Sequence, residues 1–129
     1  MRVTVVLGLI LLLLGPAGAQ RAGDKKATLK VVKNSATGTS NPSETMIELS
    51  VQVTNSGEAQ LAFSNNNFVL VDSLGKRHLV NRGRYPERFD LAPGESATAT
   101  RIFFTLPREV KPAAVQLVLL RGSIGEAKL

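Results

Sequence analysis

The chain of 129 residues contains no cysteine and no tryptophan, and His78 is its single histidine. Without cysteine it can form no disulfide, use no thiolate nucleophile and bind no metal through a cysteine. The sequence also lacks the GxSxG, HExxH, phosphate-loop and DxDxDG patterns that carry common catalytic or metal chemistry. We therefore expect a protein that is not an enzyme, that has no cofactor and no metal site, and that is stabilised by the packing of aliphatic side chains and a few phenylalanines.

The N-terminus predicts an export signal. Arg2 supplies a positive charge, residues 3–14 are almost entirely apolar, and residues 17–19 form a small-x-small cleavage site. Cleavage there leaves residues 20–129 as one domain, exported to the periplasm or the medium. An uncleaved anchor is the alternative, but a membrane span needs about 20 apolar residues. A lipid anchor would need a cysteine at the cleavage point.

Beyond residue 20, alternating apolar residues predict β-strands. The clearest is residues 45–54, which has one polar face and one apolar face made of Ile47, Leu49, Val51 and Val53. Residues 60–63 can form the next strand after a turn. A short strand is expected at residues 28–33, before a loop rich in Ser, Thr, Gly and Asn at residues 34–43. No helix of about ten residues or more shows a 3.6-residue period.

Residues 68–80 predict a β-hairpin whose register can be worked out. If Gly75 takes the left-handed position of a three-residue turn, Asp72 faces Lys76 and Leu70 faces His78. Asp72 then lies two pairs away from His78. A catalytic histidine needs an orienting carboxylate and a nucleophile within hydrogen-bond reach, so we interpret His78 as a partly buried structural residue.

The last third of the chain continues the β pattern. A Pro-Gly turn at residues 91–96 leads into a strand at residues 97–106, in which Phe103 points away from the face shared by Ile102, Phe104 and Leu106. Residues 113–120 are nearly all apolar, as expected for a central or closing strand. About seven short strands separated by turns at intervals of about ten residues predict an all-β antiparallel sandwich.

Basic residues cluster between the hairpin and the next turn. Residues 81–90 are interpreted as a loop, and the cluster that includes it is a candidate anion-binding site composed of Lys76, Arg77, Arg82, Arg84 and Arg88. Arginine binds phosphate and carboxylate groups through two parallel hydrogen bonds, and the fields of neighbouring charges add. A solvated loop without a ligand is the alternative. Nucleic acid is not expected, because Tyr85 is the only tyrosine and base stacking needs several exposed aromatic residues.

Four motifs in this order resemble a family of secreted bacterial immunoglobulin-like domains of unknown function, which carries the name "telomeric repeat-binding factor 2". They are Thr54-Asn55 at a strand end, the hairpin of residues 70–75, the turn at residues 93–95, and Pro107 near the end of a strand. The resemblance covers most of residues 31–120. It implies an immunoglobulin-like fold, an exported location and no known enzymatic activity, and it supplies no site residues. Many relatives resemble lipoproteins, whereas this chain lacks the required cysteine.

Two functions of different classes remain. The first is a binding module that presents the basic residues to an anionic envelope polymer or to an acidic protein partner. The second is a structural or assembly role, in which a sheet edge or the apolar face around Phe103 docks against another subunit. The two differ in salt response, because screening weakens only the first. The sequence leaves the oligomeric state open.

Overall fold

The computed structural model describes residues 26–81, 86–120 and 122–129, and the predicted export signal lies outside these residues. The described residues form nine strands and one short 3₁₀ helix. In chain order the elements are β1 (Ala27–Gly38), β2 (Glu44–Asn55), β3 (Leu61–Ser64), the 3₁₀ helix (Asn65–Asn67), β4 (Phe68–Asp72), β5 (Arg77–Leu79), β6 (Arg88–Leu91), β7 (Ser96–Pro107), β8 (Pro112–Leu119) and β9 (Gly122–Lys128).

The strands form a sandwich with immunoglobulin topology. A three-stranded sheet has the order β1-β2-β7, and a four-stranded sheet has the order β9-β8-β4-β5. All pairs in them are antiparallel. In immunoglobulin terms these sheets are A-B-E and G-F-C-C′, and the separate pair β3-β6 is an addition. The prediction of an all-β, immunoglobulin-like antiparallel sandwich is confirmed.

The core lies between the two sheets and is aliphatic with a few phenylalanines, as the composition predicts. The apolar face of β2 is buried from Ile47 to Val53, and Phe104 on β7 and Phe68 on β4 are fully buried. Because strand residues alternate between faces, these side chains meet at the centre of the sandwich while their neighbours face outward. Burying one such side chain contributes about 1.5–3 kcal/mol, so the core can stabilise the fold without disulfides.

Two expected loops contain strand. Residues 34–43 were expected to be a loop, but β1 continues to Gly38 because its residues pair with residues 45–50 of β2. Residues 81–90 were also expected to be a loop, but β6 begins at Arg88 and pairs with β3. In both cases a neighbouring strand supplies hydrogen bonds to residues that do not favour a strand by themselves, so tertiary pairing overrides local propensity.

Two junctions bring the sheets together at their edges. On one side the N–H of Lys26 donates to the carbonyl of Ile124 at 3.0 Å, and a Cβ added to Gly125 would lie 2.6 Å from the carbonyl oxygen of Ala27. On the other side the N–H of Asn81 donates to the carbonyl of Phe103 at 2.7 Å. The sandwich is therefore nearly closed on both sides, and Gly125 is required for the close approach of β1 to β9.

Candidate functional site

The hairpin that joins β4 to β5 has the predicted geometry. Leu70 pairs with His78 and Val71 pairs with Arg77. Gly75 has a φ of 86°, which is the left-handed conformation that glycine adopts without steric cost. The N–H of Asp72 donates to the carbonyl of Lys76 at 2.9 Å and closes the turn.

The buried carboxylate of Asp72 stabilises this turn through hydrogen bonds. The side chain of Asp72 is only 2% exposed. Its Oδ1 accepts hydrogen bonds from the N–H groups of Leu74 and Lys76 at 2.8 and 2.9 Å. The turn is thereby fixed in one conformation, because moving it would leave a buried charge without donors.

His78 completes the set of partners of Asp72. Its Nε2 lies 2.8 Å from Oδ2 of Asp72, and its side chain is 12% exposed. An ionised carboxylate can only accept, so Nε2 carries the proton. The hydrogen bond from His78 is the main cause that lowers the pKa of Asp72; burial raises this pKa, and the backbone N–H groups of Lys76 and Leu74 lower it further.

Although the register places Asp72 two pairs away from His78, as predicted, the two side chains are in direct contact. The two residues are not directly opposite each other, but diagonal neighbours on one face of a strand pair lie close enough for long side chains to touch. The surroundings of the pair nevertheless indicate a structural role for His78. Among the described residues, the hydrogen-bond partner of His78 is Asp72, and no hydroxyl group lies within reach of its ring.

Four exposed basic residues surround the hairpin end of the four-stranded sheet. We call them the hairpin-end patch, and they are Lys76, Arg77, Lys111 and Lys128. The hairpin and the chain before β8 are tied together, because the N–H of Ser73 donates to the carbonyl of Lys111 at 2.8 Å. Lys111 therefore lies beside the turn that carries Lys76.

The strand register places two members of the patch on one face. Arg77 pairs with Val71, Val71 with Ala114, and Ala114 with Lys128, so these residues form one row across four strands. The neighbouring row, which contains Leu70, faces the core, so this row faces outward. Its ends, Arg77 and Lys128, lie three strand spacings apart, which is about 14 Å across the sheet between their backbones.

The acidic residues near the patch offset only part of its charge. Asp72 is buried beneath the turn, and Glu126 accepts a hydrogen bond from Gln116 at 3.0 Å. Glu109 is the exposed acid in the turn that precedes Lys111. None of the four basic residues forms an ion pair with another described residue. The patch therefore presents a net positive field to solvent.

The predicted arginine cluster is only partly described. Arg82 and Arg84 lie outside the described residues. Arg88 is exposed at the start of β6, next to Glu87, whose carbonyl accepts the N–H of Asn65 just before β4. Arg77 on β5 pairs with Val71 near the other end of β4, a strand of 5 residues that is about 14 Å long. The structure thus groups Lys76 and Arg77 with Lys111 and Lys128, and it places Arg88 elsewhere.

The alternative docking face around Phe103 is less apolar than expected. Phe103 does point away from the core, opposite Glu48, but it is only half exposed. Its backbone carbonyl already accepts a hydrogen bond from the N–H of Asn81. The large apolar residues that are most exposed in the described chain are instead scattered singly: Val32, Leu74, Leu79 and Leu120.

A groove of about 1100 Å³ lies between β3 and the turn that joins β8 to β9. Leu61, Leu119 and Ile124 form much of its wall, and among the described residues that line it Lys26 is the one that is charged. Those described residues include no carboxylate and no imidazole. No group of three or more His, Asp or Glu residues in the described chain could hold a metal ion. The described residues also include no helix that is long and apolar enough to cross a membrane.

These observations define the chain as an antiparallel β-sandwich of immunoglobulin type with a basic hairpin end. Its fold is similar to that of MPT63, a secreted protein from Mycobacterium tuberculosis whose crystal structure is known at 1.5 Å resolution. The TM-score is 0.55 at 13% sequence identity, and the match covers 78% of this chain and 81% of that chain. At this identity the likeness concerns the fold alone. No family model and no curated protein matches the chain, so the family resemblance of its motifs stays a prediction.

Proposed function

We propose that this chain is an exported, non-enzymatic binding module that holds the anionic groups of an envelope polymer on the hairpin-end patch. The observation that carries the proposal is the row that places Arg77 and Lys128 on one outward face, with Lys76 and Lys111 beside it. Export is supported by the signal-like residues 1–19 and by the secreted location of MPT63.

The dimensions of the patch favour a polymer over a small ion. Arg77 and Lys128 are separated by about 14 Å along the sheet, which exceeds the Debye length of about 8 Å at physiological ionic strength. One small anion can neutralise only part of this four-residue patch, whereas an extended chain with repeated phosphate or carboxylate groups can place a group at each basic residue. Arg77 is suited to binding one such group through two hydrogen bonds, and the lysines add point charges.

Asp72 prepares the patch without competing for the ligand. Its carboxylate is buried and occupied by the N–H groups of Leu74 and Lys76 and by His78, so it does not attract the exposed cations. It also fixes the turn that carries Lys76 and precedes Arg77. A site that is rigid before binding loses less conformational entropy when the ligand arrives.

The test is retention on immobilised polyphosphate across a salt series. The double variant Arg77→Ser with Lys128→Ser should elute at clearly lower salt than the parent. The matched control is Lys26→Ser with Lys30→Ser, which removes the same charge from β1 and from the residue before it. If the control lowers retention as much as the patch variant, binding reflects net charge and the proposed site is wrong.

Two further arms separate the remaining interpretations. Replacing Arg82, Arg84 and Arg88 together by Ser tests the predicted arginine loop; a loss of retention confined to this variant would move the site there. Poly-glutamate in place of polyphosphate tests an acidic protein as the ligand. Tighter retention on poly-glutamate than on polyphosphate would favour an acidic protein over an envelope polymer.

A second candidate function is assembly through a sheet edge. The observation that favours it is the outer edge of β1, which approaches β9 near its beginning, where the N–H of Lys26 donates to Ile124. Edge pairing relies on backbone hydrogen bonds and is insensitive to salt, which distinguishes it from binding by the patch.

A further inference from the structure

The second half of β1 is an open sheet edge. β1 lies at the edge of the three-stranded sheet, and its contact with the other sheet is near its start, where Lys26 meets Ile124. Residues 33–38 pair with β2 on one side. Five of these six residues are exposed, and Ser35 is half exposed.

The hydrogen-bond pattern identifies which backbone groups point outward. The N–H of Ser56 donates to the carbonyl of Lys26, the residue before β1, and the N–H of Asn55 donates to the carbonyl of Glu95 on the opposite side. Because the direction alternates along a strand, even-numbered residues of β2 point toward β1. Their partners in the second half of β1 are residues 33, 35 and 37. Asn34, Ala36 and Gly38 therefore direct their N–H and carbonyl groups away from the sheet.

These outward groups make no backbone hydrogen bond to any described residue outside the ladder. The usual protections of an edge are also missing over residues 33–38. The segment contains no proline, and its only charged residue, Lys33, is bound to Glu48 of the same sheet at 3.3 Å. The bulge at Val32 precedes the open segment and does not interrupt it.

The open segment is complementary to itself. If two copies approach antiparallel with Ala36 opposite Ala36, each Asn34 faces a Gly38 of the other copy. Every outward N–H and carbonyl then meets an outward partner, which gives about six hydrogen bonds in three pairs. Lys33 falls opposite Thr39 in this register, so no like charges face each other.

We propose that this protein forms a two-fold symmetric dimer in which residues 33–38 of two copies pair antiparallel, centred on Ala36. The two three-stranded sheets then join into one continuous sheet across the dimer. A two-fold axis fits, since an isologous interface needs one surface that is complementary to itself. The edge of the other sheet at β5 is less suitable, because β5 has only 3 residues and carries Arg77. The dimer does not depend on the hairpin-end patch.

Sedimentation velocity of the purified protein tests the proposal over about a hundredfold range of concentration. We expect the mass to rise from monomer to dimer as concentration increases, and added salt should leave the transition unchanged or strengthen it. Amide exchange at high concentration should slow at Asn34, Ala36 and Gly38 and not at residues 33, 35 and 37, which are already protected. A parent protein that stays monomeric throughout would overturn the proposal.

Variants make the test specific. Ala36→Pro removes an outward N–H without removing a hydrogen bond to β2, and Ala36→Lys places two like charges opposite each other at the axis. Both should be monomeric, and circular dichroism confirms that each is folded. The matched control Leu79→Ser, at the β5 edge, should dimerise like the parent. A dimer that survives both Ala36 changes, or that Leu79→Ser abolishes, would show that a different surface is used.

Discussion

Replacing Gly125 by alanine should destabilise the protein, because β1 crosses β9 too closely for a side chain. A Cβ at this position would lie 2.6 Å from the carbonyl oxygen of Ala27 and 3.3 Å from Cγ of Leu29. The first contact is with the backbone, so the carbonyl oxygen of Ala27 cannot rotate away as a side chain could, and the junction must open. Forcing extra volume into a packed site of this kind costs about 1–3 kcal/mol.

That cost is measurable by thermal and urea unfolding. For a domain of this size, 1 kcal/mol shifts Tm by about 4–8 °C, so Gly125→Ala should lower Tm by about 4–24 °C. The matched control is Gly57→Ala, whose Cβ would meet its nearest neighbour at 3.5 Å, an ordinary contact. It should keep or slightly raise Tm, because alanine restricts the unfolded chain. Equal Tm values for the two variants would mean that β1 does not close against β9.

Three further changes test the hairpin, the bulge in β7 and the buried carboxylate. Gly75→Val places a β-branched residue at a φ of 86° and should cost about 1 kcal/mol or more; an unchanged urea midpoint would contradict the turn geometry. Arg101 has a φ of 60° in the bulge opposite β2, so Arg101→Gly should relieve strain and stabilise by about 0.5–1 kcal/mol, and a loss of stability would argue against that strain. The pKa of Asp72 is lowered on folding, so its carboxylate stabilises the protein above the unfolded pKa of about 3.9, and this contribution is lost as pH falls through the folded value. Stability measured from neutral to acid pH should therefore fall less steeply in Asp72→Asn than in the parent, and parallel curves would exclude a role for this group.

The fold could be predicted because most strands carry their own signal. The alternation around Leu49 and Val51 defines β2 without any neighbour, and Gly75 and Pro93-Gly94 mark their turns. β9 could not be predicted in this way. Its sequence, GSIGEAK, has one β-branched apolar residue, and pairing with β8 forms the strand. Local sequence patterns do not predict a strand that forms only because it pairs with its neighbour.

The sequence also predicted only part of the candidate site. Lys76 and Arg77 were found because basic residues follow them closely in the sequence. Lys111 and Lys128 were missed because the sheet register, and not proximity along the chain, brings them to the hairpin end. The contact between Asp72 and His78 was missed for a different reason. A register gives directly opposed pairs, whereas this contact is diagonal and depends on the reach of the imidazole ring.

The most direct test of the account compares the salt needed to release the parent, the Arg77→Ser/Lys128→Ser variant and the Lys26→Ser/Lys30→Ser control from immobilised polyphosphate. All three should have the same Tm to within a few degrees, because the replaced side chains are exposed. The account predicts that the parent and the control elute together at higher salt and that the patch variant elutes first. Coincident elution of the two variants, or no retention of the parent at low salt, would contradict the assignment of the hairpin-end patch as the binding site.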